Sequence, residues 1–236
     1  MKHFFILSML FTITLSQAGS VSGAIEQNTV WTADKNPIIV SGNIEVPESL
    51  SLKIEAGVVV KFDGYFHILV RGALTVTGTQ DNQVLFTSNK EKPATDDWNG
   101  LIFYGEKCNS TLSYCTIKYA FKNLAWKSSP VIQNCTFTSN NYALYCSFSN
   151  SAKILSNIME KNQFGVYCDF SSPLIQKNKI TNNNYGIYCI LSSAPIVGEN
   201  TINSNTEKDI YLDESMGKNK SENINNHVWD LMKGLF

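Results

Sequence analysis

Residues 173–189 read PLIQKNKITNNNYGIYC, and the same arrangement of apolar and polar positions recurs through the C-terminal half of the chain. Further copies begin at Pro130, Ala152 and Pro195. Each of the four copies ends in a short second segment that contains a tyrosine. These segments read ALYC, GVYC, GIYC and the weaker DIYL, and they follow one another at intervals of 22, 21 and 23 residues. Each segment is short and alternates between apolar and polar residues, which favours a strand over a helix. Several short strands in a repeat of fixed length are typical of a solenoid.

The repeat predicts an all-β fold, a right-handed parallel β-helix of about eight coils between residues 38 and 212. The first half fits less regularly. LKIEAG at residues 52–57 and LTVTG at residues 74–78 stand 22 residues apart, and a longer loop at residues 89–97 interrupts the pattern. At about 4.8 Å per coil, the rod would be on the order of 40 Å long.

The N-terminus predicts a secretory signal peptide over residues 1–24. A short basic start precedes an apolar run at residues 4–15, which is too short to span a bilayer comfortably. Small residues at the right offsets place the cleavage after Ala18 or Ala24. An uncleaved membrane anchor is the alternative.

The remaining chain shows no linker that would divide it, so we expect one β-helix over residues 25–212. Residues 213–236 follow it and carry apolar pairs at helical spacing after asparagine-rich start signals. We expect them to form a C-terminal cap with a short helix, because the end of a solenoid exposes unpaired strands. A tail that binds a partner is the alternative.

The chain has six cysteines, and an even number in an exported protein suggests disulfides. The repeat points elsewhere. Cys146, Cys168 and Cys189 share one repeat position, and Cys115 and Cys135 share another. Strand alternation puts the first three on the apolar side, where a free thiol packs as a small hydrophobic group. Disulfides between strands, or metal ligation, remain the alternatives.

Asparagines take over the second of these cysteine positions in the later repeats. Asn157, Asn178 and Asn200 align with Cys115 and Cys135. An asparagine at a stacked bend can hydrogen-bond to its neighbours along the rod. We expect a structural asparagine ladder at these positions and assign no ligand to it.

The outward side of the same strands is the candidate ligand-binding surface. Alternation points one tyrosine of each coil outward, together with one carboxylate: Tyr145, Tyr167, Tyr188, Tyr211 and Asp169. A second aromatic column precedes the first: Tyr142, Phe164 and Tyr185. Aromatic rows with polar neighbours can bind sugar rings. The alternative is that the stacked rings only stabilise the packing between strands.

These repeats resemble the right-handed parallel β-helix superfamily with the pectate-lyase-like fold. The opening coils are similar to those of exported bacterial members: VSGNIEVP at residues 40–47, LKIEAGVVVKF at 52–62, VLFTS at 84–88 and DWNGLIF at 97–103. Members of the superfamily include polysaccharide lyases, glycoside hydrolases, epimerases, adhesins and a periplasmic protein that matures a copper enzyme. The resemblance therefore implies the fold and leaves the activity open.

The catalytic signatures of such enzymes are missing from the sequence. Lyases of this fold use an Arg or Lys base with Asp clusters that bind Ca²⁺, whereas the single arginine, Arg71, has no Asp-rich segment nearby. The Asn-Thr-Asp and Gly-His-Gly motifs of the hydrolases do not occur. No repeat position joins the scattered aspartates Asp81, Asp96, Asp97, Asp169 and Asp213.

We therefore expect a secreted, periplasmic or cell-surface protein without catalytic activity, which binds a glycan or a cell-surface protein or serves a structural role. A polysaccharide lyase or hydrolase on the same fold is the alternative. The absence of His and Met clusters argues against a metal-related accessory role, so we expect no metal and no cofactor. A net charge of −1 argues against nucleic acid. We expect a monomer with no transmembrane segment after signal cleavage.

Overall fold

The computed structural model describes residues 20–213, which wind into a parallel β-solenoid of about nine turns. Each full turn passes through three short strands, one on each of three faces that we name A, B and C. The described residues contain almost no helix beyond a 3-10 turn at Ala33–Lys35. The right-handed parallel β-helix predicted from the repeats is confirmed.

The strands of each face pair in parallel with the equivalent strands of the turns before and after. Face A consists of β2 (Thr29–Trp31), β4 (Ser51–Glu55), β7 (Ala73–Thr77), β10 (Thr111–Ser113), β13 (Val131–Gln133), β16 (Lys153–Leu155), β19 (Leu174–Gln176) and β22 (Ile196–Gly198). Face B contains β5 (Val59–Phe62), β8 (Val84–Ser88), β11 (Cys115–Lys118), β14 (Thr136–Thr138), β17 (Ile158–Glu160), β20 (Lys179–Thr181) and β23 (Thr201–Asn203). Face C contains β6 (His67–Val70), β9 (Gly100–Tyr104), β12 (Lys122–Trp126), β15 (Tyr142–Ser147), β18 (Phe164–Asp169), β21 (Tyr185–Ile190) and β24 (Lys208–Leu212).

Two further strands run around the corner between faces B and C. β1 (Ser20–Ala24) pairs with β3 (Ile38–Val46), and β3 continues onto β5 on face B and β6 on face C. β1 adds an incomplete first turn, which accounts for about nine turns where about eight were expected. The predicted signal-peptide boundary at residue 24 coincides with the end of β1. The predicted C-terminal helix lies outside the described residues.

Apolar side chains fill the inside of the rod, because alternate residues of each short strand point inward. Ile132, Ile154, Ile175 and Val197 stand opposite one another on successive strands of face A, and all four are buried. Burying one such side chain stabilises the fold by about 1.5–3 kcal/mol. The column Cys146, Cys168 and Cys189 fills the equivalent inner position on face C, with all three thiols buried.

Each corner of the regular turns contains a residue in the left-handed backbone conformation. At the corner between faces B and C, Ser139, Lys161, Asn182 and Ser204 have φ between 57° and 59°. A residue other than glycine costs roughly 1–2 kcal/mol in this conformation. The cost recurs in every turn, so something at the corners must offset it.

Polar ladders inside the corners provide that stabilisation. At the corner between A and B, the amide of Asn157 donates to Oδ1 of Asn178 over 3.0 Å, and Asn178 donates likewise to Asn200 over 2.9 Å. The Asn157 amide also donates to the Ile132 carbonyl over 2.9 Å. Backbone groups that the tight bend buries are thus paired, as buried polar groups must be.

Two more ladders occupy the other corners, and neither was predicted from the sequence. The corner between B and C carries Asn140, Asn162, Asn183 and Asn205, joined in the same way. The corner between C and A carries Ser128, Ser149, Ser171 and Ser193, linked by backbone–hydroxyl bonds. Both sets recur at the repeat interval in the sequence, so the register could have revealed them.

Candidate functional site

The outer surface of face C carries the candidate ligand-binding residues. The registers of β15, β18, β21 and β24 place one tyrosine of each strand opposite the next, in a line that we call the tyrosine row: Tyr145, Tyr167, Tyr188 and Tyr211. All four are half-buried. The structure therefore brings together the four tyrosines predicted from the repeats.

Three rings of the tyrosine row, those of Tyr167, Tyr188 and Tyr211, overlap face to face. Tyr167 and Tyr188 have centroids 5.2 Å apart with an angle of 10° between the rings, and Tyr188 and Tyr211 lie 4.3 Å apart at 12°. Nearly parallel rings at these distances cover part of each other's faces. Ring edges, hydroxyls and only part of the faces remain for a ligand.

A second line of rings lies beside the tyrosine row, and we call it the mixed row: Tyr142, Phe164 and Tyr185. These rings stack on one another at 4.8 and 5.3 Å, each pair at 11°. They meet the neighbouring rings Tyr167 and Tyr188 edge to face, at angles from 73° to 88°. The two rows interlock into a continuous aromatic surface across four turns.

Asp169 provides a fixed carboxylate beside the rows. Its Oδ2 accepts hydrogen bonds from the hydroxyl of Tyr145 over 3.0 Å and from that of Ser147 over 3.4 Å. Its Oδ1 is buried and has no hydrogen-bond partner among the described residues. Leaving such a buried acceptor unpaired costs free energy of folding.

The environment of the rows favours neutral tyrosines. Burial, followed by the hydrogen bond to Asp169 and its charge, raises the pKa of Tyr145 far above its ordinary value. Burial and then the neighbouring rings Tyr142 and Tyr188 raise the pKa of Tyr167 to about 12. At neutral pH both hydroxyls are therefore protonated and can donate as well as accept hydrogen bonds.

The aromatic surface continues toward the N-terminal end of face C. Tyr104 stacks on Trp126 with centroids 4.5 Å apart, and the guanidinium of Arg71 lies 4.5 Å above the Tyr104 ring. The ammonium of Lys122 lies 5.0 Å from the ring of Tyr145, and burial lowers the pKa of Lys122. These neighbours were not predicted from the sequence, because their turns lack the regular repeat.

A shallow polar depression of about 430 Å³ runs along the corner beside the mixed row. Its outer part carries a line of carboxamides, one per turn, that we call the amide row: Asn141, Gln163 and Asn184. Asn184 donates to Oε1 of Gln163 over 2.6 Å. Each side-chain amide can donate and accept hydrogen bonds, which matches the hydroxyl groups of a sugar.

Thr95, in the loop at residues 89–97, lines this depression. The hydroxyl of Thr95 donates to the Ser139 carbonyl over 3.0 Å, and Asn141 donates to the carboxylate of Asp96 over 3.3 Å. Asp97 holds the loop together by accepting bonds from Lys90 over 2.6 Å and from the Ala94 backbone over 2.9 Å. Asp96 is therefore bonded to a residue that lines the depression, whereas Asp97 has a structural role.

Among residues 20–213, no group of three or more His, Cys, Asp or Glu side chains is arranged to hold a metal ion. In the same part of the chain, no helix is long and apolar enough to cross a bilayer.

Comparison with known families agrees with this architecture. Residues 78–226 match the family described as the right-handed beta helix region, and residues 23–120 match the pectate-lyase-like beta helix domain. The chain therefore belongs to the right-handed β-helix family. No curated protein and no solved structure matches the chain.

Proposed function

We propose that this β-helix is an exported, non-catalytic protein that binds a glycan along face C. The observation that carries the proposal is the in-register repetition of the tyrosine row, the mixed row and the amide row over successive turns. A polymer lying along the rod would meet the same groups at each turn, at a spacing of about 4.8 Å. Repetition of this kind suits a repeating ligand.

The chemistry of the three rows supports a sugar ligand. The amide row and the tyrosine hydroxyls offer donors and acceptors to sugar hydroxyls. The ring edges and the uncovered parts of the ring faces offer apolar contact to the C–H groups of a sugar.

Localisation outside the cytoplasm is part of the proposal. It is supported by the short apolar run at residues 4–15, which has the length and flanks of a signal peptide. Expression of the full chain in a bacterial host, followed by fractionation, tests it. Retention of the unprocessed chain in the cytoplasm would contradict export.

A glycan array, followed by affinity electrophoresis with each bound polysaccharide, tests the binding. We expect the wild-type protein to bind at least one glycan and the double variant Tyr167→Ala, Tyr188→Ala to lose that binding. The matched control is Gln133→Ala with Gln176→Ala, which shortens two outward side chains on face A and should bind normally.

Three results would overturn the proposal. If the protein binds no glycan, a glycan is not its ligand. If the tyrosine double variant binds as well as the wild type, face C is not the binding surface. Release of reducing ends or unsaturated sugars from a bound polysaccharide would show that the protein is an enzyme.

A further inference from the structure

Cys115 and Cys135 lie opposite each other on neighbouring turns, at the corner between faces A and B. The next residues, Thr116 and Thr136, are paired in the sheet, which fixes the register of the two cysteines. The two sulfur atoms are 3.4 Å apart, and both side chains are buried. The two thiols are therefore held together, away from solvent, by the backbone of two parallel strands.

Cys135 occupies the place of an asparagine in the ladder of the later turns. There, the backbone N–H and the side-chain amide of Asn157 both donate to Oδ1 of Asn178, over 2.8 and 3.0 Å. At the earlier turn, the thiol of Cys115 donates to the sulfur of Cys135. The sulfur of Cys135 thus takes over the acceptor role of the amide oxygen.

This hydrogen bond makes the two thiols unequal. Burial raises the pKa of the Cys135 thiol, but hydrogen bonds from the Cys115 thiol and from nearby backbone groups outweigh burial and lower it overall. The same bond, together with burial, raises the pKa of the Cys115 thiol. In the folded protein, Cys135 is therefore the thiol of the pair that loses its proton more readily.

The pKa is also raised for three of the other four thiols. Burial raises the pKa of Cys146 to about 12, and the neighbouring Cys189 together with burial raises that of Cys168. Burial likewise raises the pKa of Cys108, whose sulfur lies 3.4 Å from the hydroxyl of Ser110. A raised pKa keeps Cys108, Cys146 and Cys168 protonated, and a protonated thiol is a poor nucleophile.

We propose that Cys115 and Cys135 form a disulfide that links two neighbouring turns, through exchange with an external disulfide. The thiolate of one of the two cysteines attacks one sulfur of the external disulfide, which releases one thiolate and leaves a mixed disulfide. The other cysteine then loses its proton and attacks the cysteine sulfur of the mixed disulfide, which releases the second thiolate. Two electrons pass to the external disulfide, and its two thiolates take up the two protons.

The site requires little rearrangement for this bond. The distance between the two sulfur atoms must shorten from 3.4 Å to about 2.05 Å, and rotation of the two side chains can supply part of this change. Because both thiols are buried, the exchange takes place while the neighbouring turns are open, during folding. The disulfide would continue the line of the asparagine ladder, as a covalent link, into the earlier turns that have no asparagine at this ladder position. This inference does not depend on glycan binding.

Disulfide mapping of the full chain tests the proposal. The reduced, unfolded protein is refolded in a buffer of reduced and oxidised glutathione, its free thiols are alkylated under denaturing conditions, and its peptides are analysed by mass spectrometry. We expect one cross-linked peptide pair, containing Cys115 and Cys135, and alkylated Cys108. If the chain does not refold, the same mapping is made on protein recovered from the bacterial periplasm.

Two variants sharpen the result. Cys135→Ser should abolish the cross-link and leave Cys115 alkylated, whereas the matched control Cys108→Ser should retain the cross-link. Alkylation of all six cysteines in the wild-type protein would overturn the proposal. So would a cross-link confined to the column of Cys146, Cys168 and Cys189.

Discussion

The hydroxyl of Tyr145 donates a 3.0 Å hydrogen bond to Asp169, which lies one turn further along the rod. The ring of Tyr145 stands edge-on to Tyr167, at 82°, whereas Tyr167 is nearly parallel to Tyr188. The hydrogen bond to Asp169 is therefore made by the first tyrosine of the row, whose ring does not join the parallel stack. It leaves one buried carboxylate oxygen without a partner among the described residues, beside the proposed glycan surface.

Replacement of Asp169 tests how this carboxylate acts on its neighbour. Asp169→Asn removes the negative charge but keeps a hydrogen-bond acceptor. Because Asp169 adds to the effect of burial on Tyr145, we expect the pKa of Tyr145 to fall. Ultraviolet titration of the phenolate measures it, with the Tyr145→Phe protein subtracted to isolate this residue. Asp63→Asn, which changes a distant loop carboxylate, is the control. Identical titrations of wild type and Asp169→Asn would contradict the assignment.

Alkaline pH should destabilise the protein through the buried tyrosines. An unfolded tyrosine ionises near pH 10, at about its ordinary pKa, whereas the pKa of Tyr167 in the folded chain is raised to about 12. The contribution of Tyr167 to the stability of the fold is fully present below the pKa of the residue in the unfolded chain. It is lost as the pH rises from there through the pKa in the folded chain, because the tyrosine of the unfolded chain releases its proton first. Denaturant unfolding across this pH range should show a shallower decline for Tyr167→Phe than for wild type. Equal slopes would refute this account.

The asparagine ladder at the corner between B and C should contribute strongly to stability. Asn162→Ala would remove the acceptor of the Asn140 backbone N–H and the donor to the Phe137 carbonyl. A buried group left unpaired costs about 1–3 kcal/mol, so we expect a loss of at least that size in the free energy of unfolding. Chemical denaturation measures it. Asn184→Ala, at an exposed amide of the same corner, should cost much less, and equal losses would contradict the ladder's role.

The pairing of β1 with β3 predicts the site of signal cleavage. Cleavage after Ala18 retains β1, whereas cleavage after Ala24 removes it and exposes the edge of β3. N-terminal sequencing of the exported protein should therefore begin at Gly19. Chains that start at Gly19 and Ile25 can also be compared by thermal unfolding. The longer chain should unfold several degrees higher, since about 1 kcal/mol shifts the midpoint by ~2–4 °C at this size. An exported chain that begins at Ile25 would contradict the prediction.

The repeats reveal much of this architecture, because period-2 alternation assigns each side chain to the inside or the outside. Alignment of Tyr167 with Tyr188 and of Cys168 with Cys189 follows directly from the repeat interval and agrees with the strand register. The orientation of the rings does not follow from it. Side-chain rotamers decide whether Tyr167 presents its face or its edge, and these depend on neighbours in three dimensions.

Other features escape the repeats for different physical reasons. Trp126 and Lys122 belong to turns with irregular spacing, so no aligned partner marks them as part of face C. β1 lies in a stretch that also has the small residues of a signal-peptide cleavage site. The sequence alone does not decide whether these residues form a strand or are removed with the signal peptide. The loop bearing Asp96 is brought to the Asn141 corner by contacts distant in sequence, such as that of Thr95 with Ser139.

Chemical-shift mapping in solution tests the central claim, glycan binding along face C, most directly. The protein, at 26.3 kDa, is labelled and titrated with an oligosaccharide of the polysaccharide that it binds most tightly on the array. We predict saturable shifts confined to the tyrosine, mixed and amide rows, centred on Gln163, Phe164 and Tyr167. Shifts centred on face A or face B, or no saturable shift with any glycan, would contradict the claim.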